Sequence, residues 1–97
     1  MRYRKLPVEV EVYQLTFRPP EMLGETPELT NPPAWLKVAL DSGIVSAQAS
    51  VNKRWLVIHT LEGPMIGQEH DWIIKGVKGE IYACKPDVFE LTYERIE

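Results

Sequence analysis

The chain reads as a small α+β domain, a curled antiparallel sheet of about five to seven short strands packed on one main helix. Three observations predict this. Val8, Val10 and Val12 alternate with Glu9, Glu11 and Tyr13, and period-two alternation of β-branched and polar residues marks a half-buried strand. Arg54 to Leu61 alternates in the same way, with Trp55, Val57 and His59 on one side and Leu56, Ile58 and Thr60 on the other. Between these strands lies one well-punctuated helix, preceded by prolines and followed by Gly43.

In chain order, the first strand is expected over about residues 6–15, with Pro7 at its start, where a missing N–H costs least. Residues 17–33 carry Pro19, Pro20, Pro27, Pro32 and Pro33 around Gly24, which forbids a regular helix or a central strand. This Pro-rich loop is either an ordered excursion over the surface or a flexible one. Phe17, Met22, Leu23 and Leu29 favour partial packing. A loop of this length in a small domain is often functional. The helix follows over Pro33–Asp41, with Thr30 or Asn31 as its cap and proline in its first turn. Trp35, Val38 and Ala39 form its apolar stripe, flanked by Leu36 and Leu40, and Trp35 is read as a core anchor. Gly43 ends it in the left-handed conformation.

Beyond the helix the chain reads as short strands separated by turns. Ile44–Val51 is a weak strand, turned by Asn52-Lys53 into the strong strand Arg54–Leu61. Glu62-Gly63 turns the chain into Pro64-Met65-Ile66. Glu69-His70-Asp71 leads into Trp72–Gly76, and Lys78-Gly79 into Glu80–Cys84. Pro86-Asp87 opens a single helical turn through Val88, Phe89 and Leu91, and Thr92–Ile96 is expected to return as an edge strand.

The 97 residues fit one domain, residues 1–97, with a formal charge of -3 and 44% hydrophobic residues. No apolar run approaches the ~20 residues of a membrane-spanning helix, and Glu9 and Glu11 interrupt any secretory apolar segment. Cys84 is the only cysteine, which excludes an intrachain disulfide and favours a reducing, intracellular location. The slight acidity argues against binding duplex nucleic acid, which calls for a basic face.

Candidate chemistry is sparse. His59, His70, Asp71 and Cys84 lie on different expected elements without the close spacing of a zinc motif, so no metal or other cofactor is expected. Cys84 would need a nearby base to act as a nucleophile, and Lys85 would lower its pKa if close and exposed. A free cysteine is more often a small buried hydrophobe, so no catalytic residue is assigned and the chain is read as a non-enzyme. Gly76-Val77-Lys78-Gly79 is too short for a phosphate loop. It does bring Lys75 and Lys78 near one turn, with Lys85 a few residues on and Trp72 and Tyr82 in the same hairpin. Lysines beside aromatic faces can hold a phosphorylated, planar ligand by charge and stacking. The same five residues also fit two core aromatics and a lysine-protected edge strand.

Two stretches carry a resemblance. Tyr3–Gln14, YRKLPVEVEVYQ, is similar to the opening YRKKPVVIEAFQ of a group of small phage and prophage proteins, and Asp71–Phe89, DWIIKGVKGEIYACKPDVF, is similar to their ending DYIIKGVKGEFYPCKPDIF. Ala83 stands where that family usually has proline, and Gln68-Glu69-His70 where many members have Pro-Gly before Asp71. The resemblance implies an accessory protein made in the cytoplasm of a bacterial host, and carries no activity over. It makes a non-enzymatic binding protein the expected function, with a nucleotide-like signal or a host protein as partner and counter-defence as the role. The alternative is a minor structural or assembly component of the phage. Exposed sheet edges add the expectation of a homo-oligomer.

Overall fold

A computed structural model describes residues 1–4, 6–19 and 26–97. The expected packing of Met22 and Leu23 lies outside the described residues. The elements run β1 (Glu11–Gln14), α1 (Ala34–Ser42), β2 (Val45–Ala49), β3 (Arg54–Thr60), β4 (Gly63–Gln68), β5 (Trp72–Lys75), β6 (Ile81–Cys84) and α2 (Pro86–Thr92). The fold is α+β, with its six strands in two three-stranded antiparallel sheets, β1-β5-β6 and β2-β3-β4, rather than in one curled sheet. The division follows from pairing that crosses the chain. β1 joins β5, with Glu11 opposite Lys75 and Gln14 opposite Trp72, and this separates the outer hairpin from the inner meander.

The two sheets share one core. Leu56 and Ile58 from β3, Val45 from β2 and Ile73 from β5 pack with Leu36 and Ala39 of α1 and with Leu15, Phe17 and Leu29. The alternation expected of β3 holds, since Leu56 and Ile58 are fully buried and His59 is exposed. The sheets meet over small residues. A Cβ on Gly67 would lie 3.1 Å from Ile73 Cδ1, 3.7 Å from Ala83 Cβ and 3.8 Å from Leu56 Cβ. Pro64 is accommodated because β4 is an edge strand.

Several elements differ from the sequence expectation. β1 is shorter than residues 6–15 because its partner β5 ends at Lys75, ahead of the Gly76–Glu80 turn. α1 is preceded by Pro33 in an extended conformation, with no side-chain cap, while Asn31 takes a positive φ of 44°. The helix presents Leu36 and Ala39 to the core, leaves Trp35 half-buried and exposes Val38. Gly43 terminates it as expected, at φ 83°. α2 spans seven residues instead of one turn, and Thr92–Ile96 forms no strand, because Thr92 ends that helix and Tyr93 caps it.

The proline-rich segment is held at its stem. Phe17 bridges Leu29, Arg18 N–H donates to Glu28 O at 2.8 Å, and Thr30 N–H donates to Thr16 O at 2.9 Å. Arg54 closes over this stem, donating from Nη1 to Arg18 O at 2.6 Å with its guanidinium 5.3 Å from the Phe17 ring centre. Among the described residues no helix is long and apolar enough to cross a membrane.

Candidate functional site

The β5–β6 hairpin sorts the five expected ligand-binding residues onto different surfaces. Side chains alternate across a strand, so Trp72 shares a face with Ile74 and, through the register, with Tyr82 and Cys84. Lys75 shares the opposite face with Ile73. Lys78 sits in the exposed hairpin turn, where Gly76 N–H donates to Glu80 O at 2.8 Å and Lys78 N–H to Glu80 Oε2 at 3.0 Å. Lys85 lies at the other end of the hairpin, beyond the Trp72–Cys84 pair. The structure therefore brings Trp72 and Tyr82 together, and Lys75 near Lys78, but leaves Lys85 apart from both lysines.

Lys85 is already engaged. Its Nζ lies 2.9 Å from Asp71 Oδ2 and 3.3 Å from Gln68 Oε1. Asp71 is only 3% exposed, and its carboxylate also accepts the Gln68 N–H at 2.9 Å. The turn Gln68–Asp71 is closed by Asp71 N–H donating to Gln68 O, with His70 at φ 75°. A left-handed φ suits glycine better than histidine. Lys85–Asp71 is the only ion pair among the described residues, so Lys75 and Lys78 keep their charges free of a carboxylate partner there.

The aromatic pair is built into a longer stack. Phe89 and Tyr93, four residues apart, fall on one side of α2 and its cap. The Phe89 ring stacks on Trp72, with ring centres 4.3 Å apart at 12°, and on Tyr93 at 5.0 Å and 19°. The Tyr82 and Tyr93 hydroxyls meet at 3.1 Å. Burial and the Tyr93 hydroxyl push the Tyr82 pKa well above its usual value. The sequence alone does not single out Tyr93, because the strand expected over 92–96 breaks the i, i+4 spacing from Phe89 that α2 and its cap create.

Cys84 sits half-buried on this face, and its thiol approaches Lys85 O at 3.6 Å. Burial raises its pKa, and the Asp71 and Asp87 carboxylates raise it further. The lowering expected from Lys85 is thus reversed, because the ammonium turns to Asp71. His59 and His70 remain exposed on separate elements. Among the described residues no group of three or more His, Cys, Asp or Glu converges on a common point.

The aromatic stack of Trp72, Phe89 and Tyr93 lines an open groove of about 1550 Å³, together with Trp35 and the segments Leu6–Val12 and Phe89–Glu97. Among the described residues its charged lining is Glu9, Glu11, Glu90, Glu94 and Glu97 against Arg95. Val8, Leu91 and Ile96 add exposed apolar surface. The groove therefore joins aromatic and aliphatic surface to a negative field. No family model, curated protein or solved structure matches this chain.

Proposed function

We propose that this chain is a non-enzymatic binding protein of phage or prophage origin, working in the cytoplasm of a bacterial host, that holds a basic and apolar segment of a host protein in the groove beside α2. One observation carries the choice of partner: among the described residues, five glutamates and one arginine line a groove that aromatic rings also line. A cationic segment with apolar side chains complements both its charge and its surface, whereas a phosphorylated ligand would meet repulsion there. The phage origin rests on the resemblance of Tyr3–Gln14 and Asp71–Phe89. His70, at φ 75°, departs from the Pro-Gly that many of the resembling proteins have before Asp71. Counter-defence by occupying a host factor fits this reading. A structural component of the phage is its rival, and self-association is compatible with either.

A nucleotide-like signal is the second reading. Lys75 and Lys78, free of ion pairing among the described residues, favour it. The anion would sit at the hairpin turn rather than against Trp72 and Tyr82, whose hydroxyl and ring partners lie within the chain. Titration with basic, apolar peptides and with linear and cyclic nucleotides, followed by calorimetry and thermal shift, separates the two. The first reading expects peptide binding that falls steeply with salt and is lost when Glu90 and Glu94 are both changed to lysine. Nucleotide stabilisation that disappears in Lys75→Glu/Lys78→Glu would replace it with the second.

A further inference from the structure

The negative charge of the groove beside α2 is not relieved from within the chain. Glu9, Glu11, Glu90, Glu94 and Glu97 line it, yet the only ion pair among the described residues joins Lys85 to Asp71. Arg95, the cation in that lining, donates from Nε to the Glu97 carbonyl.

The opposite charge is gathered at the other end of the chain. Residues 1–8, MRYRKLPV, hold Arg2, Arg4 and Lys5 and no acidic residue, whereas residues 86–97 hold Asp87, Glu90, Glu94 and Glu97 against Arg95. Arg2 and Arg4 are exposed and outside any ion pair among the described residues. Tyr3 is 89% exposed, and its hydroxyl meets Met1 Sδ at 3.1 Å. In an extended segment Arg2 and Arg4 fall on one side, Met1 and Tyr3 on the other. Such a segment offers cations and apolar, aromatic surface together, which is the chemistry the groove complements.

The segment's own groove is the wrong receiver. Leu6–Val12 line that groove, and Leu6 precedes Pro7, which biases Leu6 toward extended backbone. An extended Leu6 carries the residues before it onward along the line of 6–12 instead of back across it. A second copy meets no such constraint. Resting on the reading of the groove as a site for a basic, apolar segment, we propose that it receives Met1–Lys5 of a second copy. The exchange is reciprocal: each copy supplies one segment and one groove, so it closes as a two-fold dimer. Self-association and the binding of an outside partner then compete for one site. Exposed ion pairs contribute little singly, so the dimer is weak and loosens as salt rises.

Sedimentation velocity of the full chain, from micromolar to hundred-micromolar concentration, tests this. A reversible, salt-sensitive dimer is expected. Arg2→Glu/Arg4→Glu and Glu90→Lys/Glu94→Lys should each weaken it at least about tenfold. Circular dichroism and melting temperature should stay unchanged in both, because all four residues are exposed. Mixed in equal amounts, the two variants should associate again, since every segment then meets a groove of opposite charge. A wild-type monomer at every concentration overturns the proposal. So does a dimer that survives either double substitution, or a pair of variants that stays apart on mixing. Titrating the Arg2→Glu/Arg4→Glu chain with a basic, apolar peptide unrelated to residues 1–8 separates this exchange from the reading it rests on. Peptide uptake without a wild-type dimer overturns the exchange and keeps the host-protein site. A dimer with the expected mixing pattern but no peptide uptake keeps the exchange and removes the host-protein site.

Discussion

Asp71 joins three elements through one carboxylate, taking the Gln68 N–H at the end of β4, starting β5 and pairing with Lys85 ahead of α2. Removing it leaves the part-buried Gln68 N–H without its acceptor, so Asp71→Ala should cost about 1 kcal/mol or somewhat more in urea unfolding. Lys85 is 53% exposed in its side chain, and water screens its share, so Lys85→Ala should cost about 1 kcal/mol or less. Lys75→Ala and Lys78→Ala should leave the urea midpoint nearly unchanged. The lysines were legible in the sequence as cations near one hairpin. Their separation was not, because it depends on strand facing and on a buried acceptor that only the folded turn creates. The tyrosines give a second test. Tyr13 and Tyr82 both have pKa values raised by burial. As pH climbs past about 10, the unfolded chain releases these protons before the native state does, so native stability falls. Tyr82→Phe should flatten that alkaline loss, measured by urea unfolding between about pH 8 and about pH 11, while leaving the neutral-pH slope unaltered.

Among the elements, α1 corrects a rotation. Its termination at Gly43 was legible, since little else accepts that φ, but its inward face is set by Leu36 and Ala39 rather than by Val38. Leu36→Ala should cost about 2–5 kcal/mol and Val38→Ala little, by thermal or urea unfolding. Trp35, half-buried, should fall below the roughly 3–5 kcal/mol of a fully buried ring. α2 has no fully buried residue and docks through Phe89 between Trp72 and Tyr93. Phe89→Ala should free that helix, shift the tryptophan emission to the red and raise amide exchange over residues 86–92, with the inner meander staying protected. β3 was legible because a one-residue slip would send its whole apolar set to solvent. The division into two sheets was not, because partner choice lies outside any one strand.

At the scale of the whole molecule, the core depends on how closely two sheets approach. Gly67 sits where a side chain would press on Ile73, Ala83 and Leu56. Gly67→Val should cost about 1–3 kcal/mol by overpacking and lower the melting temperature, while the same change at exposed Gly79, at φ 85°, strains only a turn and leaves the sheet contact intact. The molecule extends 55 × 26 × 23 Å, longer in one direction than the core requires. Its most distant strand pairing, Glu11 with Lys75, also has a consequence in time. At roughly 5–20 residues per second, the ribosome needs about 3–13 s to make the intervening residues. The β2–β3 hairpin needs only about 1–10 μs once made. The inner meander is therefore old by the time β5 is born, and β1 spends its youth with both edges bare, beside nascent copies of itself on the same message.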